Sequence, residues 1–213
     1  MKHPSQKEIE GFKELMEKKQ PLVWDSLNQK EKKSVFDFCE RYKAFLTEAK
    51  TEREAVAYIV RQAESLGYSD IDKGLKGLGK YYKIYKNKCV ALWTRGSESM
   101  EKGLKIIGSH MDSPRLDLKQ NPLYEEQDLA LMKTHYYGGI KKYHWLARPL
   151  AMHGVVHLKD GTLLPLVIGE KDSDPVFSIS DLLPHLAKAQ ATKKLSEAFD
   201  GEKMNILVGS LPL

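Results

Sequence analysis

Apolar residues in the first third of the chain recur at helical spacing and predict three amphipathic helices. They lie three or four positions apart over residues 5–20, again in a stretch that begins near Asn28, and again from Thr51. Thr51 followed by Glu54 is typical of the capping box that opens a helix, and Gly67 is a natural end. Charged residues fill the other positions, so each helix is expected to present one face to solvent.

Beyond Gly67 the pattern changes to short apolar runs that are typical of strands. Residues 77–96 predict a β-hairpin that turns near Asn87. Residues 103–113, GLKIIGSHMDS, predict a further strand that is buried on both faces. Helices followed by strands predict an α/β fold in which helices cover a mixed sheet.

The last third of the chain also predicts strands, with one interruption. Residues 153–169 predict two strands joined at Asp160-Gly161, a dipeptide that is frequent in hairpin turns. A loop is expected from residue 178 onward, with Ser180 or Asp181 as a cap, and residues 204–213 predict a final strand. This part of the chain is therefore expected to be rich in β-structure.

Composition excludes several classes of protein. The chain has 213 residues, of which 41% are hydrophobic, which is enough to bury a core. The N-terminal residues lack the apolar stretch of a secretory signal, and no apolar run approaches the roughly 20 residues of a membrane-spanning helix. Cys39 and Cys89 stand alone in the sequence and are interpreted as reduced core thiols. The protein is expected in the cytoplasm.

The net charge of +5 raises the question of nucleic-acid binding. A lysine series interleaved with tyrosines could form a patch for single strands. In a hairpin, however, alternate lysines form an ordinary solvated face, and acidic residues stand beside the series, so nucleic acid is not expected as a partner. The series consists of Lys73, Lys76, Lys80, Lys83, Lys86 and Lys88.

The chemistry of the chain centres on His110 and Asp112. Two residues that are two apart in a strand point to the same side, so these side chains are expected to be neighbours at the end of the predicted strand. A neutral imidazole binds zinc well, and a carboxylate on its other nitrogen fixes the tautomer. On spacing alone the alternative, a hydrogen-bonded histidine at a strand end, stays open.

Several motifs around this pair resemble the zinc aminopeptidases of the aspartyl aminopeptidase / aminopeptidase I family. In outline that family reads H-x-D-S-P, then Y-G-G, then W-x-D-R-x-L, then G-R-V. The counterparts here are His110-Met111-Asp112-Ser113-Pro114, Tyr137-Gly138-Gly139, Trp145-Leu146-Ala147-Arg148-Pro149-Leu150 and Gly154-Val155-Val156. The order and spacing of these motifs extend the resemblance over most of the chain.

The resemblance implies a co-catalytic zinc peptidase that removes N-terminal amino acids from peptides. In such sites two metal ions about 3.5–4 Å apart act on the attacking water and the peptide carbonyl. By residue match His110 would bind one zinc ion, and Asp112 would support catalysis by orienting that imidazole. His185, in a PHLA segment, matches a histidine that reaches the active site of a neighbouring subunit in the family, which implies a role in substrate binding.

Two departures from the family limit what is expected of this chain. Ala147 stands where the family has an aspartate, so no role is carried over to it. The family's chain is about twice as long, and its remaining ligands and its glutamate base would lie beyond Leu213. Glu125 and Glu126 follow the H-x-D segment too closely to be that base and are interpreted as solvated charges in a polar loop. At most one weakly bound zinc ion and no activity are expected of the chain alone.

The remaining histidines have no recognisable ligand spacing and are given structural roles. They are His135, His144, His153 and His157.

The resemblance also suggests a division of the chain. Residues 1–118 are expected to form part of a zinc-peptidase domain whose sheet is incomplete, and residues 119–213 most of a β-rich dimerisation insertion that makes a homo-oligomer. Two alternatives stay open, a non-catalytic oligomerisation module derived from the family and a basic nucleic-acid-binding domain.

Overall fold

The computed structural model describes residues 5–17, 21–75 and 77–211, which divide into two compact units. The first unit, up to residue 47, is helical. Its helices are α1 (Gln6–Met16), α2 (Val23–Ser26) and α3 (Gln29–Glu48), the last of which ends one residue inside the second unit. The predicted helices over residues 5–20 and from Asn28 are thus confirmed, although residues 18–20 lie outside the described part.

The second unit begins with a helix that packs on a small mixed sheet. Helix α4 (Glu52–Ser65) follows Thr51, whose side chain accepts from the Glu54 amide in the predicted capping box. Strand β1 (Tyr68–Asp70) runs parallel to β2 (Gly79–Tyr85), which pairs antiparallel with β3 (Cys89–Arg95). The hairpin turns at Lys86 and Asn87, both with positive φ, as a tight hairpin turn requires.

Burial fixes α4 to this sheet. Ala55, Val56 and Ala63 are buried on the helix, and Tyr82 is buried on β2. The Tyr82 hydroxyl donates to Glu64 Oε1 at 2.7 Å. That hydrogen bond is the main reason that the pKa of Tyr82 rises to about 12, with burial adding to it.

Two further sheets build the rest of the second unit. Strand β4 (Arg115–Glu126) pairs antiparallel with β5 (Leu129–Tyr137), which also pairs with β8 (Ile206–Gly209). Strands β6 (Met152–His157) and β7 (Leu163–Ile168) form the predicted hairpin around Asp160-Gly161. Two short helices, α5 (Lys188–Ala191) and α6 (Leu195–Ala198), precede β8.

A compact core holds these strands together. Phe177, Ile179, Met204 and Ile206 are buried against each other, and partly buried residues of β4 to β8 pack around them. Thr134 of β5 is fully buried, and its hydroxyl donates to the Met204 carbonyl at 2.6 Å, so its one polar group is satisfied. Strand β5 is therefore joined to the segment before β8 by this buried hydrogen bond and by the packing of the core.

The predicted strand over residues 103–113 is wrong. A 3-10 turn (Met100–Lys102) is followed by irregular backbone up to Pro114, and the side chains of Ile106 and Ile107 are 83% and 99% exposed. A strand needs a neighbour for its backbone N–H and C=O groups. None of the described strands pairs with this segment, so it does not form a strand despite its apolar pattern.

Three smaller expectations also fail. Cys39 and Cys89 are free but exposed, since α3 buries no residue and Cys89 lies next to the hairpin turn. Asp181 accepts from the Leu182 amide instead of capping a helix, and α5 begins only after Ala187. Glu125 and Glu126 end β4 rather than lying in a loop. They are exposed, as expected, because the hairpin turn follows at once.

The described part of the chain contains no helix long and apolar enough to cross a bilayer. The boundary expected between residues 118 and 119 falls inside β4, and the division into a peptidase part and an insertion stays a prediction.

Candidate metal-ligand site

His110 and Asp112 are brought together without a strand. His110 Nδ1 lies 2.9 Å from the Asp112 backbone carbonyl and 3.3 Å from Asp112 Oδ1. A hydrogen on Nδ1 donates to this residue, which leaves Nε2 with a free lone pair. The His110 side chain is 83% exposed, so Nε2 is open to an incoming group.

Tyr137 holds the other side of the Asp112 carboxylate. Its hydroxyl donates to Asp112 Oδ2 at 2.8 Å. The contact follows from the register of the β4–β5 ladder, in which Tyr137 is opposite Arg115, three residues after Asp112. The hydrogen bond from Tyr137 is the main reason that the pKa of Asp112 lies below its usual range.

Gly138 explains why the chain passes so close to the H-x-D segment. Its φ is +71°, and a Cβ at this position would lie 3.4 Å from the Cβ and Cγ atoms of Pro114. Glycine adopts this positive φ without the strain that an L side chain would bring. The S-P and Y-G-G motifs therefore meet in space, and the neighbouring Gly139 has open space around it.

Arg115 supports Tyr137 from its ring face. The guanidinium lies 4.5 Å from the ring centroid of Tyr137, and it donates to Asp117 Oδ1 at 2.8 Å and to Glu52 Oε1 at 3.3 Å. Stacking of a guanidinium on an aromatic ring is favourable, and a paired guanidinium is held in one orientation. Helix α4 is thereby connected to the candidate site.

The donor set fits zinc as one ligand with its supporting carboxylate. His110 offers Nε2, and Asp112 fixes the tautomer from Nδ1. In the part of the chain that the structure describes, no group of three or more His, Cys, Asp or Glu side chains could hold a metal ion. A catalytic zinc site has three protein ligands, so this segment offers one part of such a site.

His185 lies apart from this pair. It is exposed in the turn between Leu183 and α5, and it makes no hydrogen bond to His110 or Asp112 among the described residues. Its neighbours Leu182, Leu183 and Leu186 are all more than half exposed. His185 is thus exposed beside exposed leucines, and its predicted role in the site of a neighbouring subunit stays a prediction.

His153 forms the most connected histidine centre, and sequence reasoning missed its partners. Its Nδ1 lies 2.7 Å from Glu54 and its Nε2 2.8 Å from Glu170. The carboxylates lie on opposite edges of the ring, so they cannot converge on one metal ion. Burial lowers the pKa of His153, but the hydrogen bonds to Glu54 and Glu170 outweigh it and the net pKa is raised.

No local pattern predicts this centre, because Glu54 lies 99 residues away along the chain. Tyr137 and Arg115 were also without a role, although both belong to or adjoin quoted motifs. Their contacts depend on the β4–β5 register, which the bulge between Leu118 and Leu123 makes hard to derive from pattern alone.

Two further histidines make side-chain contacts, His135 across 67 residues of sequence and His144 at the adjacent residue. His135 Nδ1 lies 2.8 Å from Glu202, which also pairs with Lys119, and the His144 ring lies 4.4 Å from that of Tyr143.

The lysine series is partly engaged. Lys83 pairs with Asp72, Lys80 donates to the Leu66 carbonyl, and Lys86 lies over the Tyr85 ring. Lys76 lies outside the described residues. That nucleic acid is not a partner stays a prediction.

Comparison with known proteins points to one family. The family described as aminopeptidase I zinc metalloprotease (M18) matches residues 45–211. A probable M18 family aminopeptidase 1 from Clostridium acetobutylicum is 50% identical over 197 residues, which cover 90% of this chain and 42% of the relative. One from Borrelia garinii subsp. bavariensis is 46% identical over 201 residues, 93% of this chain and 43% of the relative. The chain thus spans less than half the length of the relatives that it matches.

Solved structures agree with the sequence comparison. An M18 family aminopeptidase from Thermotoga maritima superposes with a TM-score of 0.84 at 40% identity, covering 92% of this chain and 43% of that one. Aminopeptidase I from Clostridium acetobutylicum gives 0.78 at 45% identity, over 91% and 44%. The S. cerevisiae mApe1 dodecamer gives 0.60 at 23% identity, over 81% and 38%, and shows the fold alone.

Proposed function

The chain belongs to the aminopeptidase I (M18) family of zinc metalloproteases, and on that premise we propose that it supplies part of the active site of a co-catalytic zinc aminopeptidase. Such an enzyme removes N-terminal amino acids from peptides. The observation that carries the proposal is the His110 imidazole, which is held by Asp112 on one nitrogen and free on the other. The two zinc ions of the complete site would supply Lewis acidity toward the peptide carbonyl.

The residues of this chain have defined tasks in that site. His110 Nε2 is one zinc ligand, and Asp112 keeps the opposite nitrogen protonated and the ring in place. The pKa of Asp112 is lowered, so its carboxylate stays charged and keeps its role as acceptor. The other ligands and the glutamate that acts as general base come from residues outside these 213.

Residues 119–213 act as a β-rich insertion for homo-oligomer formation in this proposal. Leu182, Leu183 and Leu186 beside His185 are all more than half exposed, and exposed apolar residues close together in sequence support an interface there. His185 would then reach the substrate in a neighbouring subunit rather than in its own. The cytoplasmic location stays a prediction.

One experiment tests both the metal ligand and the reach across the interface in the assembled enzyme. His110→Ala should remove zinc from its site and abolish aminopeptidase turnover. His185→Ala should lower turnover with the metal content unchanged. His157→Ala, which removes another exposed histidine, is the matched control and should leave both unchanged.

Mixed oligomers then test the arrangement in trans. Subunits with His110→Ala are expected to be inactive alone and subunits with His185→Ala to turn over more slowly, but a mixture forms some sites with both histidines intact. Partial recovery of turnover is expected. Mixtures as inactive as the separate variants would contradict the trans role of His185.

A second function is favoured by one observation, the absence of three convergent metal ligands among the described residues. On that basis the chain would act as a non-catalytic oligomerisation module derived from the family. This alternative predicts that the assembled protein binds no zinc at His110 and that His110→Ala changes nothing but local structure.

A further inference from the structure

We propose that Tyr137 is the positioning residue of Asp112, whose carboxylate it fixes in the single rotamer that supports His110. This inference rests on the proposed function insofar as His110 is taken as a zinc ligand. The Tyr137 hydroxyl donates to Asp112, and among the described residues it makes no hydrogen bond to His110, so we expect it to act through the aspartate.

The Tyr137 hydroxyl is the closest side-chain partner of the Asp112 carboxylate. Oδ1 of its carboxylate lies 3.3 Å from His110 Nδ1, and Oδ2 accepts from Tyr137 at 2.8 Å. The Asp112 side chain is 41% exposed, and its segment has irregular backbone. An exposed carboxylate on such a segment would rotate freely without a second anchor, because rotamer entropy opposes a single conformation.

Tyr137 itself is held firmly enough to serve as that anchor. It ends β5, where its partner in the ladder is Arg115, and the Arg115 guanidinium lies 4.5 Å from its ring centroid. Arg115 is 23% exposed and Glu52, its partner on α4, 16% exposed. Groups that are buried to this extent lose less pairing energy to solvent than an exposed pair. A series of contacts thus connects α4 to Asp112: Glu52 pairs with Arg115, Arg115 stacks on Tyr137, and Tyr137 donates to Asp112.

The matched pair Tyr137→Phe and Tyr136→Phe separates this role from general packing. Each variant removes one hydroxyl and keeps the ring, and the two parent side chains are 40% and 39% exposed. Adjacent residues of a strand point to opposite faces, so the Tyr136 hydroxyl is directed away from Asp112. Both variants should melt like the wild-type chain.

The primary measurement is the Asp112 χ1 rotamer, read from three-bond NMR couplings in the 213-residue chain. One rotamer is expected in the wild type and in Tyr136→Phe, and averaged rotamers in Tyr137→Phe. The second is a Zn²⁺ titration followed on the His110 ring signals. The affinity of the chain for Zn²⁺ should be about 10-fold or more lower in Tyr137→Phe than in the wild type, as is typical when a supporting partner of a metal ligand is removed.

The outcomes separate this inference from the proposed function. A single Asp112 rotamer in Tyr137→Phe, or an unchanged zinc affinity beside averaged rotamers, would overturn the role of Tyr137. If Zn²⁺ leaves the His110 signals of the wild type unchanged, the proposed metal ligand fails, and the rotamer comparison still decides whether Tyr137 positions Asp112.

Discussion

At the scale of single residues, His153 is held between Glu54 and Glu170, and its hydrogen bonds to both carboxylates raise its pKa. Glu54 also caps α4 through its other carboxylate oxygen, which accepts from Thr51 at 2.9 Å. One side chain therefore joins the start of a helix to strand β6, across 99 residues of sequence. Charge on the ring strengthens both hydrogen bonds.

This centre makes stability depend on pH. The folded pKa of His153 lies above the unfolded value of about 6.5, so its stabilisation is complete below about pH 6.5 and is lost as the pH rises through the folded pKa. Urea unfolding at about pH 6 and about pH 8.5 should show this loss in the wild type. His153→Gln should cost about 1–3 kcal/mol at the lower pH and remove that component.

Glu54→Gln tests the charge on Glu54 alone, because glutamine keeps an oxygen that can accept in the capping box but carries no charge. It should lower the pKa of His153 towards its usual value, as NMR titration of the ring would show. His157→Gln is the control. A His153→Gln variant with the same pH dependence as wild type would contradict the assignment.

Ala147 carries backbone strain. Its φ is +50°, a left-handed conformation that costs an L-residue other than glycine, asparagine or aspartate about 1–2 kcal/mol. Its amide donates to the Ile179 carbonyl at 2.8 Å, which holds it in place beside the core. Asparagine tolerates this conformation. So does aspartate, which stands at this position in the W-x-D-R motif that the chain resembles.

Ala147→Asn is therefore expected to stabilise the chain by about 0.5–1 kcal/mol in chemical unfolding. Ala147→Gly should be stabilising or neutral. Ala44→Gly, inside the C-terminal half of α3, should lower the free energy of unfolding by about 1 kcal/mol because glycine is a poor helix former. Equal effects of the two glycine substitutions would contradict strain at Ala147.

At the scale of elements, the end of β5 determines where the candidate ligand lies. Gly138→Ala places a Cβ 3.4 Å from Pro114 at a φ of +71°, so it should destabilise the chain by about 1–2 kcal/mol and shift the signals of Asp112 and His110. Gly139→Ala meets nothing within 4 Å and should change neither property. Equal effects of both substitutions would show that this contact does not hold the two motifs together.

Most elements could be predicted from the sequence because their signals are local. The capping box at Thr51, the Asn87 turn and the Asp160-Gly161 hairpin each depend on residues a few positions apart, and the structure confirms them. The strand over residues 103–113 was wrong because pairing is not local, and the pattern cannot say whether a neighbouring strand exists.

The same distinction applies to the candidate site. His110 and Asp112 are two residues apart, so their contact could be inferred. Tyr137 reaches Asp112 only through the ladder register, which also sets Arg115 against the Tyr137 ring. His153 contacts Glu54 although 99 residues separate them along the chain. Neither the Tyr137–Asp112 nor the His153–Glu54 contact leaves a trace in local sequence.

At the scale of the whole molecule, the chain spans 42–43% of the length of two M18 relatives. Among the described residues no three His, Cys, Asp or Glu side chains converge, whereas a catalytic zinc site needs three protein ligands. Ile106 and Ile107, almost fully exposed just before His110, have the apolar character of a strand without neighbours. These features agree with the proposal that the site is completed by residues outside these 213. In that proposal the general base is one of those residues, and its loss alone would lower the rate by about 10²–10⁴-fold.

The measurement that tests this account most directly is metal content and peptidase activity of the purified 213-residue chain. After dialysis against buffer without metal we expect no stoichiometric zinc. With added Zn²⁺, Mn²⁺ or Co²⁺ we expect no release of amino acids from peptides that begin with Asp, Glu or Leu. Stoichiometric zinc together with hydrolysis that His110→Ala abolishes would contradict the account, because the rest of the site would then lie within residues interpreted here as structural.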